Sequence, residues 1–358
     1  MCLVSRERTD MAEAERAGVA VVTGGSAGVG RAAVREFARR GYDVAVLARG
    51  RAGLEGAVAE VEREGRRALA VRTDVAEWEE VRDAAARVEE ELGTIDVWAN
   101  VAFVGSLSFA WDTPIAEIHR TTGVTYLGQV HGTLAALERM RPRDRGVVVN
   151  VGSAMAFRSI PLQSAYCGAK HAVQGFSESV VTELRHEGSS VRLCQVQLPG
   201  LNTTQFNWNA SRMPHHPMPV PPVYQPEVAA RAIAHLAQHP RRNLWVGVPT
   251  AYTILGERLA PKLVDLYLAR TGVSSQQTEA DLPRWGSNVF APRDEEYDRG
   301  AHGPFNALAH DRDPVLWLSV HRWRVLLGAA AAAACTALAR RKTRRSMPQA
   351  GGRRRPRC

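Results

Sequence analysis

From Val19 onward the chain alternates short runs of apolar, mostly β-branched residues with longer stretches whose apolar positions recur at helical spacing, the pattern of strands joined by amphipathic helices. The runs predict strands over Val19–Thr23, Asp43–Ala48, Ala68–Thr73, Ile95–Asn100, Gly146–Val151, Val191–Leu198 and Leu244–Val248. The periodic stretches predict helices over Gly28–Arg40, Ala52–Glu64, Glu77–Leu92, Ile115–Met140, Ala165–His186 and Glu227–Gln238, with Gly41, Gly65 and Gly93 placed to end the first three. Regular β-α alternation joins parallel strands by right-handed crossovers, so the expected fold class is α/β: a Rossmann-like doubly wound parallel sheet flanked by helices, with a C-terminal extension. No internal repeat is visible.

Six prolines between residues 213 and 226 forbid continuation of either neighbouring element and predict a long extended loop. Such a loop reads as a lid, and Phe206, Trp208, Met213, Met218 and Tyr224 are either a cover for an apolar substrate or ordinary loop packing. Beyond Leu282 the chain turns polar and is punctuated by Gly and Pro, which predicts a wrapped or partly disordered extension. The expected organisation is a leader over 1–17, a nucleotide-binding catalytic domain over 18–260, an extension over 261–321, and an apolar helix with a basic tail over 322–358.

Composition changes this picture little. The 358 residues are 45% apolar, enough for one large core with an appendage. The net charge of +9 is matched by nine Arg and Lys in residues 340–358, where there is no Asp or Glu, so the remainder is neutral and nucleic acid is an unlikely partner. The five cysteines are scattered without CxxC or Cys/His spacing, and His215 and His216 lack a third ligand, so no metal site is expected. The first residues carry charges at short intervals and no apolar run of signal-peptide type, which fits a cytoplasmic protein whose true start could be Met11.

Thr23–Gly30 reads TGGSAGVG between the first strand and the first helix, where glycines let the backbone approach a pyrophosphate at a helix N-terminus. The second strand ends Leu47, Ala48, Arg49, with no carboxylate to grip a ribose 2′-hydroxyl. An arginine there suits a 2′-phosphate, so NADP(H) is favoured over NAD(H). Ser153 follows the fifth strand, and Tyr166 and Lys170 lie one helical turn apart on the next helix. A cation so placed favours the phenolate and is expected to lower the tyrosine pKa, as proton-transfer catalysis needs. Cys167, beside the tyrosine, reads as packing rather than as a nucleophile.

Through residues 17–250 the sequence resembles the short-chain dehydrogenase/reductase family, in TGGSAGVG, Asp74, the WANVA run at 98–102, Ser153, YCGAK, and Pro199, Gly200 and Thr204. The TGxxxGxG spacing is that of the family's ordinary dehydrogenase branch. The resemblance implies Tyr166 as general acid/base, Ser153 as a hydrogen-bonding partner of the same substrate oxygen, and Lys170 as holder of the nicotinamide ribose. It implies Gly24, Ser26, Gly28, Val29 and Gly30 against phosphates and ribose, Asp74 and Val75 against adenine, Asn100 on the adenosine side, and Pro199, Gly200 and Thr204 near the nicotinamide. It also implies a homo-oligomer. Two departures stand out. Where the family has an asparagine that positions a water leading to the lysine, this chain has Thr125, whose hydroxyl can still donate and accept. Where the family reads NNAG, residues 100–103 read NVAF.

The function expected is hydride transfer between NADP(H) and the carbonyl or alcohol of an apolar small molecule. The competing expectation is a non-catalytic nucleotide-sensing module of the same fold. Val325–Ala339 is an uncharged run between Arg322 and Arg324 on one side and Arg340, Arg341 and Lys342 on the other. It is short and alanine-rich for a spanning helix, so association with an anionic membrane surface is expected first, docking on protein second and spanning third.

Overall fold

Seven strands, β1 (Gly18–Thr23), β2 (Tyr42–Ala48), β3 (Ala68–Arg72), β4 (Ile95–Asn100), β5 (Val147–Val151), β6 (Arg192–Gln197) and β7 (Asn243–Trp245), form one sheet in the computed structural model, which describes residues 17–283, 286–325 and 327. Their spatial order is β7-β6-β5-β4-β1-β2-β3 and every pairing is parallel. Both faces are covered, which is why the strands read as continuous apolar runs: every residue of β2 is buried. The connecting helices are α1 (Gly28–Arg39), α2 (Arg51–Arg63), α3 (Trp78–Glu91), α4 (Ile115–Thr122), α5 (Gly128–Met140), α6 (Ser164–His186) and α7 (Pro226–Gln238). On one face Val21, Leu47, Trp98, Met140 and Val148 belong to a single buried cluster.

The chain reverses its winding direction between β1 and β4, so the loops after β1, β4, β5 and β6 gather at one crevice along the carboxyl edge of the sheet. The sequence pattern places these elements to within a residue or two. It errs where the chain leaves that alternation. The expected strand Leu244–Val248 stops at Trp245, because Gly247 takes a φ of 82° and Pro249 stands in the first turn of a new helix, α8 (Val248–Leu259). A second unforeseen helix, α9 (Pro261–Thr271), packs back on α8 at Gly256 and Val264. The single helix expected over 115–140 is interrupted by a π-helical turn, Gly123–Leu127, between α4 and α5.

The polar segment beyond residue 286 is ordered against the catalytic fold. Gly53 and Ala52 at the start of α2 donate backbone hydrogen bonds to Asp294 O (3.0 Å) and Glu295 O (3.2 Å), and Gly28 at the start of α1 donates to Gly300 O (3.1 Å). Arg31, 1% exposed, binds Asp298 through both terminal nitrogens (3.0 and 2.8 Å) and Glu60 through Nε (2.8 Å). Further on, Phe305 N donates to Asn202 Oδ1, and Ala309–His310 pairs in parallel with Val223–Tyr224. This strap, residues 288–310, belongs to a unit running through Leu316; residues from Trp317 form a second. The apolar run 325–339 lies outside the described residues except for Val325 and Leu327, and among the described residues no helix is long and apolar enough to cross a membrane.

Candidate functional site

Two contiguous cavities occupy the crevice, sharing Val29, Val101, Phe103, Thr203 and Gln205. The smaller, about 120 Å³, is lined by Gly24, Ser26, Gly28, Val29, Gly30, Arg49, Asp74, Val75 and Thr204, and by the strap residues Asn288, Pro292, Arg293 and Asp294. Its floor is backbone brought close by glycine. A Cβ on Gly30 would sit 2.1 Å from Gly24 O, and Gly24, at φ 67°, leaves no room beside Ala102 Cα (2.7 Å). A cradle so tight that side chains are excluded, at the N-terminal end of a twelve-residue helix, suits the pyrophosphate of a dinucleotide.

Arg49 closes the far end. Its guanidinium donates to Phe290 O (3.0 Å) and Asn288 O (2.5 Å), and burial, followed by the charge of Arg120, lowers its pKa while Asp74 and Asp294 oppose the shift. Asp74 is bound by Arg120 at 2.5 Å and orients the loop by accepting from Ala76 N. Asp294, 6% exposed, sets its carboxylate against Gly50 and Gly53, where a Cβ at either position would collide with it.

The larger cavity, about 350 Å³, has Ser153, Tyr166 and Lys170 on one wall, with Pro199 and Gly200 beside them. Ser153 is delivered by the end of β5 and caps a 3₁₀ turn, its Oγ accepting from Met155 N at 3.2 Å and lying in hydrogen-bond contact with the Tyr166 hydroxyl. Tyr166 and Lys170 face the same space from α6, with Lys170 Nζ 5.6 Å from the phenol ring centroid and donating to Val151 O at 2.7 Å. Phe103 meets the Tyr166 ring edge to face at 5.8 Å.

The electrostatics depart from the expectation that a neighbouring cation lowers the tyrosine. Burial pushes the Tyr166 phenol up, against the pull of the Ser153 hydrogen bond, and burial pushes the Lys170 ammonium down to about 7. The lysine is 2% exposed and pays desolvation itself, so at neutral pH it is only in part a cation.

Two expected site residues are placed elsewhere. Asn100 lines neither cavity: it is wholly buried, its amide donating to Asn150 Oδ1 (2.8 Å) and Thr133 Oγ1 (3.2 Å) and its oxygen accepting from Trp98 Nε1. As the last residue of β4 it points across the sheet to β5, not into the crevice. Thr125 also lines neither cavity. Its hydroxyl, inside the π-helical turn, accepts from Val104 N (3.0 Å) and donates to Val104 O (2.8 Å), so it fixes the loop after β4. Of the lid set, Phe206 and Met218 line the larger cavity and Trp208 the smaller, whereas Met213 packs on Leu107 and Leu162, and Tyr224 is buried beside the strap. Cys167 is buried.

The sequence reading missed two contributors: the strap, and the inner faces of α8 and α9, which add Pro249, Tyr252, Val264 and Tyr267 to the larger cavity. A signal for the strap lay in Gly50 and Gly53, glycines at the start of a helix with no turn to explain them, which leave room for the Asp294 carboxylate.

The family model described as short chain dehydrogenase matches residues 18–214, over half of the 358-residue chain. The chain belongs to the short-chain dehydrogenase/reductase family. Oxidoreductase YxnA of Bacillus subtilis (strain 168) is 31% identical over 79% of this chain and 81% of its own length. An alcohol dehydrogenase from Thermococcus sibiricus, solved with 5-hydroxy-NADP, is 25% identical at a TM-score of 0.55, covering 64% of this chain and 95% of that one. A short-chain dehydrogenase/reductase of Burkholderia phymatum, solved with NAD, shares the fold at a TM-score of 0.62 and 22% identity, covering 71% and 96%. The protein is thus an oxidoreductase of a family that uses NAD or NADP on small molecules.

Proposed function

We propose that the chain transfers hydride between NADP(H) and a carbonyl or alcohol on an apolar small molecule, with Tyr166 as general acid/base. The observation that carries this reading is the convergence of Ser153, Tyr166 and Lys170 on one wall of a largely apolar cavity that runs directly into the glycine-floored one. In the reducing direction a bound nicotinamide supplies hydride to the carbonyl carbon. The Tyr166 hydroxyl gives its proton to the carbonyl oxygen, and Ser153 Oγ donates a hydrogen bond to the same oxygen as charge develops. The raised phenol pKa keeps that proton in place at neutral pH, which favours reduction. Oxidation needs the phenolate and therefore gains as pH rises. Lys170, anchored on Val151 O, is positioned to hold the nicotinamide ribose and to replenish the Tyr166 proton.

For the cofactor, support for NADP(H) is Arg49 at the rim of the smaller cavity, held by two strap carbonyls and with further N–H groups that, among the described residues, have no acceptor and could meet a 2′-phosphate. Phe103, Leu107, Phe206 and Met218 give the larger cavity its apolar character and point to an apolar substrate. The test is a panel of ketones, aldehydes and alcohols followed by nicotinamide absorbance with each cofactor, repeated with Tyr166→Phe. Turnover should fall by about a thousandfold with cofactor affinity unchanged. Full activity in that variant would remove Tyr166 from the chemistry.

A further inference from the structure

Helices α8 and α9 wall the larger cavity with Tyr252, Val264 and Tyr267, and on their other positions expose Leu255 (48%), Leu259 (83%), Leu263 (67%) and Leu266 (55%). One exposed leucine is ordinary, but four within a single helical hairpin, spaced four residues apart on α8 and three apart on α9, give it apolar surface of the kind that marks a partner. Tyr252 and Tyr267 both line the cavity and are more than half exposed, so the cavity opens onto this surface.

Charge identifies the partner. The two acids of the hairpin, Glu257 and Asp265, are both bound by Arg158, at 3.0 and 2.7 Å. Arg258, Lys262 and Arg270 are exposed and have no acidic partner among the described residues. A second copy meeting this surface through a two-fold axis would bring three cations against their own counterparts. Anionic lipid headgroups complement them, the leucines enter the acyl boundary, and tyrosines suit the headgroup level between the two.

We propose that the α8–α9 hairpin docks on an anionic lipid bilayer and seats the mouth of the larger cavity there, so that lipophilic substrates enter from the membrane. The entry route rests on the oxidoreductase reading above; the docking does not. The experiment is co-sedimentation of the full chain with vesicles of phosphatidylglycerol and phosphatidylcholine, and with phosphatidylcholine alone. Wild type should sediment with the anionic vesicles and less so as salt rises. Leu259→Gln with Leu263→Gln should weaken that binding about tenfold, and so should Arg258→Glu with Lys262→Glu and Arg270→Glu. None of the five residues lines either cavity, so both variants should keep the wild-type melting temperature and turnover of a water-soluble ketone. Vesicle binding unchanged in both variants would assign it to another part of the chain and overturn the proposal, as would a wild type that never sediments. A wild-type dimer that the leucine variant alone dissociates, with no vesicle binding, would make the surface a copy interface and overturn it too. If the variants behave as expected but no carbonyl or alcohol is ever turned over, the oxidoreductase reading fails while the docking stands.

Discussion

The two cavities of the crevice are built by opposite means. The smaller one is made of backbone: glycines at 24, 28 and 30, helix N-termini, and a strap whose carbonyls hold Arg49. The larger one is made of side chains, with a phenol, an ammonium and a hydroxyl on one wall and aromatic and aliphatic groups from two distant helices on the others. At Gly24 and Gly30 the cradle tolerates almost no substitution, because a single added carbon collides with main chain that cannot turn aside. A side-chain wall can be repacked residue by residue while its three polar groups stay fixed. One fold can thereby keep its cofactor and vary its substrate.

The comparison breaks most visibly at Gly30. Gly30→Val should abolish cofactor binding by titration calorimetry, a loss of about a hundredfold or more, because its Cβ would lie 2.1 Å from Gly24 O. Retained affinity would show that the cradle is not the cofactor floor. Apart from Tyr166→Phe, the sharpest probe of the other cavity is pH. Lys170 has its folded pKa pushed down to about 7 from 10.5, so between those values the unfolded chain binds the extra proton and stability should rise with pH, reaching its full gain above pH 10.5. Between pH 7 and 10 the gain is of order 3 kcal/mol, and Lys170→Met should flatten it in denaturant melts at pH 7, 8.5 and 10. A wild-type profile without that slope would mean the ammonium is not desolvated. The smallest effect is at Arg49. Arg49→Gln removes a cation without placing a second carboxylate beside Asp294, and should move the NADPH-to-NADH ratio of kcat/KM toward NADH about tenfold. An unmoved ratio would leave Arg49 as a fastener of the strap.

The cofactor half of the site was legible in the sequence because its constraints are local: TGGSAGVG lies within eight residues, and the turn after β1 uses all of them. Ser153, Tyr166 and Lys170 were legible for a similar reason, since a strand end and one helical turn bring them together. Asn100 was read onto the wrong side because the alternation of a buried strand does not say which of its faces meets the crevice. Thr125 was matched to a motif position, and the π-helical turn that aims its hydroxyl at Val104 has no signature in that match. Helices α8 and α9 escaped because their apolar residues lie on both faces, with no single stripe to mark a period. The strap has no period at all, and its position follows from contacts with residues distant in sequence, from Tyr224 with His310 to Arg49 with Phe290, 241 places apart.

That last separation has a kinetic meaning. Arg31 and Asp298 stand 267 residues apart, and the pair joins the first βα unit to the strap. During synthesis β1 and α1 emerge early and the sheet can assemble around them, but Arg31 then has Glu60 as its one acidic partner beside the carbonyls of Ser26 and Gly53, and the start of α2 lacks the carbonyls that will satisfy it. Closing so long a loop is slow and comes late. The smaller cavity is therefore closed only after the strap has been made, and a chain cut short before residue 288 would carry Ser153, Tyr166 and Lys170 yet leave the Arg49 end of that cavity unwalled.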